Sequence, residues 1–206
     1  MTRWPELLIA TRSPGKQKEI RTLLAVTGIQ ILYPLDLGID FAPVEDELEV
    51  HDTYRANALA KARYFATRSG LPTAADDSGI EVDALGGRPG IHSRRFAPTS
   101  ENQDRANNQL LIEQLQDVPD ERRTARYRCV VAFVQDQEVP PEYFEGLCEG
   151  KILRTITGAG GFGYDPVFWS SDLEAGFGQV SQSEKDGVSH RGRAFRKFAE
   201  WLKQVE

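Results

Sequence analysis

The chain alternates short apolar runs with amphipathic stretches, and the period of each sets the element it predicts. Residues 6–11, ELLIAT, are an apolar run ending in a hydroxyl, the pattern of a buried strand. Over 15–26, GKQKEIRTLLAV, the residues Ile20, Leu23 and Leu24 share one helical face, and Gly28 is placed to stop the helix. QILYPL, 30–35, predicts a second strand. The acidic loop VEDELEVHD then leads into a helix over about 53–69, capped by Asp52 or Thr53, filled with alanine and ended by Gly70.

Further along, TAADDSGIEVDAL predicts two strands joined by a turn at Asp77–Gly79. SENQ, 100–103, fits a capping box that opens a helix running to about 116. ARYRCVVAFVQ (125–135) and PEYFEGLCEGKIL (141–153) read as long strands, an antiparallel pair around the VPP turn. Phe195, Phe198, Leu202 and Val205 recur at helical spacing in a C-terminal helix over about 188–205, and that stripe belongs to the core. Strands and helices alternate first and long strands follow, which predicts an α/β fold with a mixed sheet flanked by helices.

At 206 residues the chain suits one domain, with room for two lobes. Its net charge of -6 argues against wholesale binding to nucleic acid or a membrane surface. A small anionic ligand in a locally basic pocket stays open. Cys129 and Cys148 stand in no CxxC or Cys/His cluster, so buried free thiols are expected rather than zinc. The opening MTRWPELLIATRS lacks the apolar length and cleavage pattern of a secretory signal, and no run approaches a membrane span; the expected compartment is the cytoplasm.

Four stretches carry candidate chemistry. In LLIATRSPGKQKEI, 7–20, a strand ends at Thr11, and Ser13, Gly15 and Lys16 lead into a helix. Free N–H groups at a helix start, a small hydroxyl and a point cation can hold an anion, although an ordinary strand–helix turn with a solvated lysine reads the same way. The second is acidic: Glu45, Asp46, Glu47 and Glu49 before the second helix, and the pair Asp76 and Asp77. Mg²⁺ favours one or two carboxylates with phosphate oxygens and water, and one carboxylate from each segment suits it; a solvated loop and an Asp-rich turn remain alternatives. The third is TGAGGFGYDPVF, 157–168, whose glycines allow close backbone approach while Phe162 and Tyr164 offer rings to stack, or else a mobile hairpin. The fourth is SEKDGVSHRGRAFRKF, 183–198, where Lys185, Ser189, His190 and Arg191 form a donor cluster that also reads as a solvated basic helix face. Together these are the parts of a nucleoside triphosphate site.

ATRSPGKQKE, TYRANALAKA, ADDSGIEVDALGGRPGIHSRRFA, GGFGYDPVF and SHRGRAF closely resemble the inosine triphosphate pyrophosphatase family, whose bacterial members are called dITP/XTP pyrophosphatases. The resemblance runs from about 7 to 202. It implies an elongated two-lobed α/β fold with the site in the cleft between the lobes, a homodimer, Mg²⁺ dependence, and hydrolysis of ITP, dITP and XTP to monophosphate and pyrophosphate. By resemblance, Thr11, Arg12, Ser13, Pro14, Gly15 and Lys16 form the triphosphate loop. Asp77 is the proton acceptor and Ser78 a substrate contact. Phe162, Gly163, Tyr164 and Asp165 form the base loop, with Phe162 the stacking ring, and Lys185, His190 and Arg191 complete the substrate contacts. Metal binding falls to Glu49 with Asp77 or Asp76, leaving Glu45 and Glu47 open.

Two positions depart from the family pattern: Ser13 stands where Asn is usual, and Ala56 where the second motif carries Glu. Those departures leave a catalytically silent nucleotide binder as a rival reading, and a Maf-like nucleotide pyrophosphatase is a second rival.

Overall fold

The computed structural model describes residues 3–98 and 101–205. Its elements are β1 (Glu6–Ile9), α1 (Pro14–Leu24), β2 (Gln30–Leu32), α2 (Tyr54–Ser69), β3 (Thr73–Val82), α3 (Gln103–Gln114), β4 (Thr124–Val134), β5 (Glu142–Ile152), β6 (Phe168–Ser170), β7 (Ala175–Gly176), α4 (Gln182–Val188) and α5 (His190–Gln204). The described strands form one seven-stranded sheet in the order β2-β1-β3-β4-β5-β6-β7. β1 runs parallel to β2 and β3, and β6 antiparallel to β5 and β7, so the sheet is mixed as the sequence pattern predicts. No described helix is long and apolar enough to cross a membrane.

The chain divides into two compact units: Met1–Asp77 with Cys129–Gly146 and Arg191–Glu206, and Ser78–Arg128 with Leu147–His190. In the first, strand alternation sorts side chains onto two faces. Leu7, Ile9, Ala74, Cys129, Val131 and Phe133 pack with Ile20 and Leu24 of α1 and with Phe195, Phe198 and Leu202 of α5. Leu8, Ala75, Ala132 and Val134 face the other way, against Ala58, Ala62, Phe65 and Ala66 of α2. The second unit has its own core, including Ile80, Val82, Leu111, Tyr127, Cys148, Phe168 and Phe177. Both cysteines are buried and free, as expected. Arg123, buried in the second unit, donates to the carbonyls of Leu115 (2.6 Å), Ile152 (2.8 Å) and Leu153 (2.9 Å).

Three expectations need correction, and one further helix stands before the expected C-terminal one, which is found at His190–Gln204. TAADDSGIEVDAL is not two strands with a turn at Asp77–Gly79; β3 runs unbroken through it. Among the described residues β1 pairs only with the strand's first residues, Thr73 and Ala74, so the neighbour left to outweigh the turn preference of Asp-Ser-Gly is β4. The acidic loop is instead a 3₁₀ helix, Pro43–Glu49, whose start is closed by the Ala42 N–H donating to Glu45 Oε1 at 3.1 Å. Ser100 of the expected capping box lies outside the described residues, and α3 starts after Asn102, which holds a left-handed backbone (φ 46°) and makes no side-chain cap. The C-terminal helix is preceded by a separate one, α4, opened by a capping box in which Ser181 and Glu184 exchange bonds of 2.9 and 3.3 Å.

Candidate functional site

In the first unit, β1 delivers the chain to Thr11 and α1 begins three residues later. Ser13 is the N-cap of α1, its Oγ accepting from the Lys16 N–H at 3.5 Å, and Pro14 fills the first helical position, where no N–H is needed. The Thr11 carbonyl accepts from Gln17 at 3.0 Å and its Oγ1 from the Ser13 N–H at 3.3 Å, which fixes the turn. Such a helix start presents N–H groups and the positive end of the helix dipole to an anion. Arg12 does not reach toward it. Its guanidinium is held by both oxygens of Glu45, at 2.6 and 2.7 Å, and by the Ile39 carbonyl at 3.1 Å.

Asp76 and Asp77 are adjacent in β3 and serve different faces. Asp76 Oδ2 lies 2.9 Å from Lys16 Nζ and 3.3 Å from Arg191 Nε, and Arg191 Nη1 donates to Glu19 Oε2 at 2.7 Å. Asp76, Arg191 and Glu19 are all buried. Burial alone would raise the Asp76 carboxyl, but Lys16, Arg191 and Lys61 outweigh it and hold it far below the usual carboxylate range. Its second oxygen, Oδ1, is buried without a hydrogen-bond partner among the described residues.

Asp77 Oδ2 accepts from Asn57 Nδ2 at 2.9 Å, and its Oδ1 lies 3.9 Å from Lys61 Nζ. Lys61 also donates to Glu49 Oε1 at 2.6 Å and to the Asp76 carbonyl at 2.7 Å. Burial pushes the Asp77 carboxyl up, and the opposing charges of Lys61 and Lys16 with the Asn57 bond do not cancel the push. Burial pulls the Lys61 ammonium the other way, but Glu49, Asp77 and Asp76 together leave it raised.

Glu49 and Asp77 thus come from separate segments and already converge on one cationic group. Two hard carboxylate oxygens so placed fit a divalent ion that completes its shell with phosphate and water. The described residues contain no cluster of three or more His, Cys, Asp or Glu that would hold a metal by themselves. Glu45 is engaged by Arg12 and Glu47 is exposed, while Asp76 faces Lys16 and Arg191 rather than this pair.

In the second unit, the glycine-rich loop is shaped around Asp165. Asp165 Oδ2 accepts from the Phe162 N–H at 2.9 Å and pairs with Lys185, while Oδ1 accepts from Tyr127 at 3.4 Å. Gly161 has φ +73°, and a Cβ there would sit 2.1 Å from Asp165 Oδ2, so both the backbone angle and the close carboxylate require glycine. The Lys185 ammonium lies 4.8 Å from the centroid of the Phe162 ring, which is only partly buried. Tyr164 is buried and donates to the Ser93 carbonyl at 2.8 Å, a place in the core rather than a free stacking face. His190 is buried too, stacked on Tyr127 at 4.4 Å with planes 4° apart. Ser78 is partly exposed at the first position of the second unit.

The sequence reading missed Lys61, Asn57 and Glu19. Each carried a legible signal. Asn57 and Lys61 interrupt an otherwise apolar face of α2 that buries Ala58, Ala62, Phe65 and Ala66, and Glu19 sits beside Ile20 on the buried side of α1. A charged residue is almost never buried unless paired, so its appearance on a core face calls for a partner.

A mixed sheet whose β1 ends at a helix start, with buried carboxylates in the middle of β3 and lysines beside them, defines an α/β protein with a cluster of buried charges against its sheet. The chain belongs to the Ham1 family, whose sequence profile matches residues 7–201. It is 43% identical over 198 residues to the dITP/XTP pyrophosphatase of Thioalkalivibrio sulfidiphilus, covering 96% of this chain and 98% of that one. With the dITP/XTP pyrophosphatase of Yersinia pestis the identity is 41% over 201 residues, covering 97% and 99%. Among solved structures, a HAM1 protein from Coxiella burnetii matches with a TM-score of 0.84 at 31% identity, over 97% of this chain and 98% of that one.

Proposed function

We propose that the chain is a nucleoside triphosphate pyrophosphatase that hydrolyses deaminated purine nucleotides, ITP, dITP and XTP, to the monophosphate and pyrophosphate. Full-length identity of about 40% to enzymes named for this activity supports the reaction class. The observation that carries the chemistry is Asp77: a buried carboxylate with a raised pKa, oriented by Asn57 and set against Lys61 and Glu49. A carboxylate tuned upward is a stronger base, and a positioned base is what a hydrolytic water needs.

In this reading Asp77 takes a proton from the water as its oxygen bonds to the α-phosphorus, and the bond from that phosphorus to the bridging oxygen breaks, releasing pyrophosphate. Lys16 and the start of α1 stabilise the charge that moves onto the leaving group. Asp76 orients Lys16 and Arg191. Phe162 stacks on the base, and Tyr164, Asp165, Lys185 and His190 hold its surroundings in shape. Nucleotide pyrophosphatases generally need a divalent metal; here Glu49 and Asp77 would hold Mg²⁺, which when bound neutralises phosphate charge. The family likeness also supports a homodimer and a cytoplasmic location, with no nucleic-acid or membrane partner; sedimentation and fractionation test these.

The activity is tested by pyrophosphate release from ITP, dITP, XTP, ATP and GTP, with and without Mg²⁺. Release from the first three, lost without metal and much slower from ATP and GTP, is expected. Equal turnover of ATP, or none of any substrate, overturns the reading.

A further inference from the structure

Helix α3 carries two polar side chains, one turn apart, that meet a single residue of the base loop. Asp104 Oδ2 accepts the Gly163 N–H at 2.8 Å, and Asn108 Nδ2 donates to the Gly163 carbonyl at 2.9 Å. Residues four apart lie on one helical face, so α3 grips both backbone groups of this glycine at once. Gly163 holds φ +61°, in the left-handed region, and the two bonds fix that conformation from outside the loop. Between them, Asn107 donates to the Ser93 and Arg94 carbonyls at 3.2 Å each and accepts the Ala97 N–H at 2.8 Å. The Ser93 carbonyl also receives Tyr164, so the loop is joined to segment 93–97 directly as well as through α3.

Asn108 is the informative member. It is buried, its bond to Gly163 is the only one its side chain makes among the described residues, and its own Oδ1 is buried with no partner. Leaving a buried acceptor unmade costs stability, and an apolar side chain would avoid that cost. The amide contributes to the placement of Gly163 rather than to the core. Gly163 directly follows Phe162, whose ring is the partly open element of the loop.

We infer that Asp104 and Asn108 are positioning residues for substrate specificity: by clamping Gly163 they set the angle at which Phe162 meets the purine. The inference rests on the base-loop role proposed above. It makes the clamp a determinant of KM, since it orders the binding surface before substrate arrives and touches no reacting atom.

Two near-isosteric exchanges test it with dITP as substrate. Asn108→Asp removes the donor and is expected to raise KM about tenfold with kcat within about twofold. Asp104→Asn keeps an acceptor oxygen and is expected to leave KM near wild type, whereas Asp104→Ala is expected to raise it. Asn108→Leu, which removes the orphan acceptor, is expected to raise KM without lowering the melting temperature. Unchanged KM in Asn108→Asp and Asn108→Leu overturns the clamp. So does a loss of kcat in proportion to the folded fraction, which would make the amide merely structural. Wild-type enzyme inactive on dITP overturns the base-loop reading itself, a distinguishable result.

Discussion

Asp76 and Asp77 are neighbours in sequence and on opposite faces of β3: Asp76 against Lys16 of α1 and Arg191 of α5, Asp77 against Asn57 and Lys61 of α2. Strand alternation separates two like charges that a turn would have crowded together, and sets a different cation nearest to each, although Lys16 and Lys61 act on both. The two carboxyls are accordingly pushed in opposite directions, Asp76 down and Asp77 up. Divergent environments for paired acids mark divided roles.

Asp77→Asn is expected to keep the fold and lose at least ~10²-fold in turnover, the low end of general-base effects. Because the folded pKa of Asp77 is raised, its proton-linked stabilisation is present below about pH 4 and lost as pH rises through the folded value. At neutral pH the ionised form is a burden to the fold. The neutral amide is therefore expected to melt at or above the wild-type temperature in metal-free protein. Paired measurement of kcat and melting checks both halves; wild-type turnover in the variant removes Asp77 from the chemistry.

Asp76→Asn works with the opposite sign. The folded pKa is depressed, so the stabilisation is fully present above about pH 4 and lost as pH falls toward the folded value. Removing the charge leaves Arg191 and Lys16 sharing at most a neutral amide oxygen and is expected to cost about 3–5 kcal/mol at pH 7. Urea melts of both proteins should converge only well below pH 4. A constant difference across that range means the ion pairs are not its source.

Glu49→Gln is expected to raise the Mg²⁺ concentration for half-maximal activity about tenfold or more, within the range for loss of a metal-site contact. Glu45→Gln should leave it unchanged and lower the melting temperature, since both oxygens of Glu45 hold Arg12. Metal titration of turnover distinguishes them, and an effect confined to Glu45→Gln would reassign the metal site.

Ala56→Glu addresses the departure from the family's second motif. Thr53 caps α2 and accepts from the Ala56 N–H at 3.1 Å, so position 56 is the third of the helix, where a glutamate completes a capping box. The variant is expected to gain roughly 0.5–1 kcal/mol in stability, as capping interactions do, with turnover unchanged. A large rise in turnover would instead make the missing carboxylate functional.

Local pattern made much of the molecule readable. Ser13, Thr53 and Gly70 mark helix ends by residue type alone, and the structure uses all three. The stripe Phe195, Phe198, Leu202 is core. What stayed hidden was long-range. Nothing near Gly79 announces that β3 runs on beside β4 past the end of its pairing with β1. The partners of Asp76 come from positions 16 and 191, and no local window joins them. Arg12 and Glu45 each looked available because their mutual pairing spans 33 positions.

Arg123 gives α3 a second anchorage. Its guanidinium seizes the carbonyl of Leu115, just past the end of that helix, together with two carbonyls at the end of β5. The opposite end of α3 grips Gly163 through Asp104 and Asn108. A rod pinned at both ends resists sliding along its axis, so Arg123→Lys, which trades a rigid guanidinium fork for a flexible point ammonium, would slacken the far pin and loosen the grip on Gly163 at the other end.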